Sequence, residues 1–209
     1  MKAQKEYTEH RTGILTQPLS NLAFLPLSSI LSESELSALI SSTATTAKID
    51  PLPCLSLPTS PTDNSTAHIE LMFTNSKATP GAPAPGTSYL SIWTVLLHPL
   101  SRGSIHITTS DPLQQPRIDP NYYAEPLDRT VMAAGLKLGA EIADSSPMSG
   151  LIKARSEPAE GALTDADWDA HIQRTSLTLW HPVGTASMGK VVDSALRVYG
   201  GMSQSLVNE

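Results

Sequence analysis

The chain has 209 residues, enough for one domain with a substantial core and marginal for two. Apolar residues make up 40% and charged residues 16%, with 17 prolines, which describes a loop-rich folded chain rather than a disordered acid or a helical bundle. A net charge of −6 excludes a nucleic-acid partner, and a single cysteine, Cys54, excludes an intrachain disulfide framework and a multi-cysteine metal site.

From the amino terminus, "MKAQKEYTEHRTG" is polar and lacks the apolar core of a secretory signal. No window approaches the roughly 18 apolar residues of a membrane span, so neither a signal peptide nor a transmembrane segment is read, and localisation stays unassigned. "GILTQPLSNLAFLPLSS" follows. Ser32 with Glu35 then makes a capping box ahead of Leu36, Leu39 and Ile40, predicting a short helix. "IDPLPCLSLPTSPTDNST" reads as an extended surface loop, within which Asn64-Ser65-Thr66 is a formal glycosylation sequon. "AHIELMFTN" alternates as a strand does, and "GAPAPGTS" at 81–88 is a hinge or loop.

Beyond Ser88 the pattern is denser. "YLSIWTVLLH" and "GSIHITTS" read as strands, the second with Ile105 and Ile107 on one face and Ser104, His106 and Thr108 on the other. The connector "PLSRG" offers Gly103 for positive φ, predicting a strand, tight turn, strand unit. "SDPLQQPRIDPNYY" leaves room only for a short edge strand at Arg117–Asp119. "PLDRTVMAAGLKLGAEIADS" places Leu127, Val131, Ala134, Leu138 and Ile142 on one helical face, with Pro126 near the first turn. Thr164 and Asp167 start a further helix through Trp168 and Ile172, and "VVDSALRVYG" reads as a closing strand. Strands grouped apart from helices predict an α+β fold, an antiparallel sheet with helices packed on one side.

No internal repeat is found, so the chemistry must come from single sites. "LWHPVGTASMG" places His181 before Pro182, which pushes it toward extended backbone angles, while Gly184 and Gly189 permit sharp turns. A histidine can take a proton near neutral pH, as a general base must. The residues alone leave both readings of His181 open, a satisfied structural turn or a catalytic group; His98-Pro99 repeats the dipeptide where a turn explains it. "GTASMG" is not a nucleophile elbow, since Thr185 stands where the first glycine would be. There is no H-E-x-x-H and no G-x-G-x-x-G. Asp111, Asp119 and Asp193 read as turn or cap residues, and Trp93 and Trp168 as packing.

"HPLSRGSIHITTSDPLQQPRIDPNYY", a helix, and then "WHPVGTASMGKVVDSALRVYG" together resemble the carboxy-terminal part of the glucose-methanol-choline (GMC) oxidoreductases. The two motifs stand in family order and at family-like separation, and the match covers Ser88 to Gly200. "GILTQPLSNLAFLPLSS" is similar to the stretch that fungal aryl-alcohol-type members carry just upstream. The resemblance divides the chain into an upstream part of the substrate domain (1–87), the GMC carboxy-terminal domain (88–200) and a divergent tail (201–209). It implies oxidation of a small-molecule alcohol, with hydride passing to FAD while His181 removes the hydroxyl proton. Trp180, Pro182 and Val183 would lie, with His181, beside the isoalloxazine, and His98 to Ser104 would turn into a sheet strand.

The departures from the family pattern set further expectations. The glycine-rich FAD loop does not occur, so the FAD-binding domain is largely absent, and "GMSQSLVNE" stands where the family continues to a second His or Asn. The expectation is a fragment truncated at both ends, inactive and unable to hold FAD alone, with a separate FAD-domain chain as candidate partner. The alternative is a non-catalytic binding or interaction module that keeps the substrate-domain fold. Either way, a sheet built to pack on a missing domain would expose an apolar face.

Overall fold

The computed structural model describes residues 2–13, 21–46, 65–78, 81–158, 161, 163–181 and 184–200. The Pro/Ser/Thr-rich loop with Cys54 and Asn64, residues 14–20, Pro182, Val183 and the tail 201–209 lie outside the described residues. Two compact units emerge, one of Met1–Arg102 with Asn121–Ser176, the other of Gly103–Pro120 with Leu177–Glu209.

In the first unit, α1 (Lys2–His10) precedes β1 (Leu22–Leu25), a 3-10 turn at Leu27–Ser29, and α2 (Glu33–Thr46). The reciprocal bonds of the predicted capping box are present, Ser32 N–H to Glu35 Oε2 at 2.8 Å and Glu35 N–H to Ser32 Oγ at 3.3 Å. Strands β2 (Ile69–Thr74) and β3 (Ser91–Leu96) complete an antiparallel sheet in the order β1-β2-β3. Its register puts Ala23, Leu25, Ile69, Leu71, Phe73, Ile92, Thr94 and Leu96 on one face. Against that face pack Leu36 and Leu39 of α2 and Leu127, Val131, Leu138 and Ile142 of α3 (Pro126–Asp144), which together with it form the hydrophobic core. Closest approach comes at two glycines of α3: a Cβ on Gly135 would stand 2.7 Å from Thr94 Cγ2, and one on Gly139 3.4 Å from Ile92 Cγ2. A 3-10 turn at Met148–Gly150 leads on to α4 (Asp165–Thr175), which starts at the predicted Thr164–Asp167 box and buries Trp168, His171 and Ile172.

The second unit holds a two-stranded antiparallel ribbon, β4 (Ser104–His106) and β5 (Arg117–Asp119), and a chain of turns over 184–200. The α+β class and the helices on one side of an antiparallel sheet match the expectation, but two expected elements do not form. First, β3 does not turn back into β4: it pairs with β2, and β4 pairs with β5. The reason is Asp128, 2% exposed in the first turn of α3, whose carboxylate accepts from Leu100 N–H (2.7 Å), Ser101 N–H (2.9 Å) and Ser101 Oγ (2.6 Å). The connector is thereby drawn to α3 instead of closing a hairpin. Gly103 is not at positive φ; it is needed because a Cβ there would meet the Asp119 carbonyl at 2.3 Å.

Second, "VVDSALRVYG" forms only isolated bridges, Met188 with Val192 and Val192 with Val198. Asp193 Oδ1 accepts from Ala195 N–H and Arg197 N–H, each at 2.9 Å, and so curls the backbone that a strand would need extended. At the other end, the helix α1 arises in a stretch where the polar sequence predicts no element.

Candidate active site

The second unit carries both described members of the predicted site, Trp180 and His181. After α4 the chain runs irregularly to Trp180, whose N–H donates to Thr178 Oγ1 at 3.1 Å. Trp180 takes a left-handed backbone, φ 59°, and the residue is 73% exposed. His181 is exposed as well, and no described residue hydrogen-bonds its imidazole.

Downstream the expected turns are in place, with Gly184 at φ 92° and Gly189 at φ 83°. Ser187 organises the loop: its Oγ donates to the Gly184 carbonyl, and its carbonyl accepts from Lys190, Val191 and Val192 N–H. Gly189 N–H to Val192 carbonyl (2.7 Å) and Tyr199 N–H to Val191 carbonyl (3.0 Å) tie the remainder around Val192, 2% exposed. Hydrogen bonds from the Arg197 backbone and guanidinium hold the Asp193 carboxyl below the usual carboxylate range. The loop over 184–200 is thus braced by its own hydrogen bonds, and His181 precedes it in sequence by two residues that lie outside the described ones.

Asp111 and Asp193 act as turn residues, as expected; Asp111 Oδ1 accepts from Leu113 N–H at 3.0 Å. His98 lies two residues past β3 and touches His68, ring edge to face at 5.9 Å. Sequence reasoning assigned no role to Thr178; the signal was available as Thr-x-Trp, a hydroxyl two residues ahead of an amide it can cap. Among the described residues, no cluster of three or more His, Cys, Asp or Glu could hold a metal, and no helix is long and apolar enough to cross a membrane.

An antiparallel sheet backed by helices makes this an α+β chain, in which Trp180 and His181, neighbours in sequence, are both exposed. Residues 99–202 match the family model described as GMC oxidoreductase, and through this carboxy-terminal part the chain belongs to the GMC oxidoreductase family. The GMC oxidoreductase family protein Mala s 12 of Malassezia sympodialis is 42% identical over 116 residues, covering 53% of this chain and 19% of that protein. A dehydrogenase of Monascus purpureus is 29% identical over 228 residues, covering 94% of this chain and 36% of its own length. The fold is like that of formate oxidase from Aspergillus oryzae, with a TM-score of 0.70 at 24% identity, over 94% of this chain and 34% of that one. The chain thus spans between a fifth and little more than a third of these proteins' lengths.

Proposed function

We propose that the chain is the substrate-side part of an FAD-dependent oxidoreductase acting on the CH–OH group of a small alcohol, with residues 88–200 as the working domain. His181 is the base: its imidazole takes the hydroxyl proton of the substrate. Trp180, with Pro182 and Val183, holds one face of the isoalloxazine; the exposed indole fits such a ring, and the same exposure leaves the imidazole open to substrate. When bound, FAD supplies the acceptor for the hydride. A single observation carries the reading, an exposed His181 inside the span that matches the family. In this reading the dinucleotide-binding loop lies in polypeptide outside these 209 residues, upstream in the same protein or on a separate chain.

To test it, the 209-residue chain is combined with a separately expressed FAD-binding region of a GMC enzyme, and loss of oxidised-flavin absorbance is followed without oxygen over a panel of primary alcohols. The expected result is bleaching that His181→Ala slows by about 10²–10⁴-fold. An unchanged rate in that variant removes His181 as the base. A second reading, a non-catalytic interaction module, draws support from the ribbon, where Ile105 and Ile118 stand opposite each other yet are 48% and 62% exposed. A defined complex whose flavin never bleaches would favour it.

A further inference from the structure

The two sides of the three-stranded sheet have different fates. One packs on α2 and α3; the register places Leu22, Phe24, Glu70, Met72, Trp93 and Val95 on the other. Glu70 stands on that second face in the middle strand β2, with Phe24 directly across on β1 and Val95 directly across on β3. It is 9% exposed, yet no described residue hydrogen-bonds or ion-pairs its carboxylate. None of its neighbours in the register is a cation. Trp93, one diagonal step away, already donates its indole N–H to Thr74 Oγ1 at 3.1 Å, so the ring has no donor left for the carboxylate.

Taking a carboxylate out of water is unfavourable unless a cation or hydrogen-bond donors answer it. The missing group is therefore positive and must lie among rings, which suits a guanidinium: it is planar, weakly hydrated, and can stack on an aromatic face while it grips a carboxylate. The surroundings favour polypeptide over a free ion. Leu22 and Phe24, on the edge strand β1, are 40% and 56% exposed, an apolar rim that a small ion would leave bare. The relatives also carry most of their length outside the part this chain matches, which is 19%, 36% and 34% of the three described above. We infer that the sheet face turned away from the helices is a docking surface for a protein segment that brings an arginine to Glu70, with Leu22 and Phe24 as its apolar rim. The segment belongs to polypeptide outside these 209 residues, and the inference does not depend on the role of His181.

The test has two arms, both on the full chain. In the first, the acetylated tripeptide amide Leu-Arg-Leu is the probe, and the backbone amide resonances of β2 are followed by NMR as it is added. Saturable shifts are expected. Replacing the peptide's arginine by uncharged citrulline, or Glu70→Gln in the chain, should weaken binding by roughly 10- to 100-fold. Phe24→Ser should weaken it as well. The second arm is urea unfolding without peptide, where Glu70→Gln and Glu70→Met should leave the midpoint unchanged or raise it, because the carboxylate has no partner to lose. A midpoint that falls in both variants shows a carboxylate already satisfied within the chain and overturns the inference. Equal affinity for the arginine and citrulline peptides overturns it too, as does the absence of any β2 shift with either. Glu70-dependent binding of tetramethylammonium, with none of the arginine peptide, would make the face a small-cation pocket and refute docking.

Discussion

At the scale of single residues, Asp128 decides how the chain leaves the three-stranded sheet. Its carboxylate satisfies two backbone amides and a hydroxyl, while Ser101 Oγ in turn accepts from Glu125 N–H at 3.0 Å. Ser101 thus does for α3, across 24 residues, what an N-cap side chain does locally. Asp128→Ala leaves those amides short of an acceptor and should cost about 2–4 kcal/mol in urea unfolding, with Asp128→Asn losing roughly half as much because one oxygen remains. His171 answers to pH. It is 8% exposed, edge-on to Trp168 and 3.8 Å from Glu157 Oε2. Burial, and next the Arg174 guanidinium, push its pKa below the ordinary 6.5, with Glu157 opposing. The unfolded chain therefore binds the proton first, and stability falls as pH drops below 6.5 toward the depressed native value. Glu157, held low by its hydrogen bond to Arg174, adds a second decline as pH falls below 4.5. Urea midpoints measured against pH should show both declines, with His171→Gln removing the upper and Glu157→Gln the lower.

At the scale of elements, the two glycines of α3 make a paired experiment. A methyl at 135 meets Thr94 Cγ2 at 2.7 Å, and Thr94 is a stiff β-branched residue, so Gly135→Ala should destabilise by about 1–3 kcal/mol. At 139 the nearest atom is 3.4 Å away, so Gly139→Ala should be neutral or stabilise by up to about 1 kcal/mol through helix propensity. Thermal melts that rank the two the other way would refute the packing described. Helix starts were legible because capping is local: Ser32 with Glu35 and Thr164 with Asp167 act as their spacing predicts. Strand partners were not, because β3 chooses β2 over β4 through a carboxylate 28 residues from the amide it binds. The expected strand at 191–200 failed on a side chain, Asp193, that competes for the strand's own amides. The helix α1 had no apolar period to announce it.

At the scale of the whole molecule, legibility came from a different source. His181 and Trp180 are proposed from motif and family resemblance; neither burial nor periodicity singles out two exposed neighbours. The nearby bonds of Thr178 to the Trp180 amide and of Ser187 to the Gly184 carbonyl rest on single hydroxyls that carry no pattern. The ribbon shows apolar surface. Ile105 and Ile118 stand exposed, Ile107 is 86% exposed, and such surface favours association. Sedimentation of the isolated chain should therefore show concentration-dependent self-association that Ile105→Thr with Ile118→Thr reduces, whereas a monomer at every concentration would count against it.

The ribbon also leaves and re-enters the first unit through one doorway. Asn121 Nδ2 donates to the Arg102 carbonyl at 3.0 Å, so the residues on either side of the 103–120 excursion are already joined. In the language of gene construction this is a cassette slot: a segment whose two ends meet can be cut out or exchanged without reopening the frame that holds it. Replacing residues 103–120 by a short glycine bridge should leave the melting of the first unit's core nearly unchanged, with the sheet and its two helices as they are.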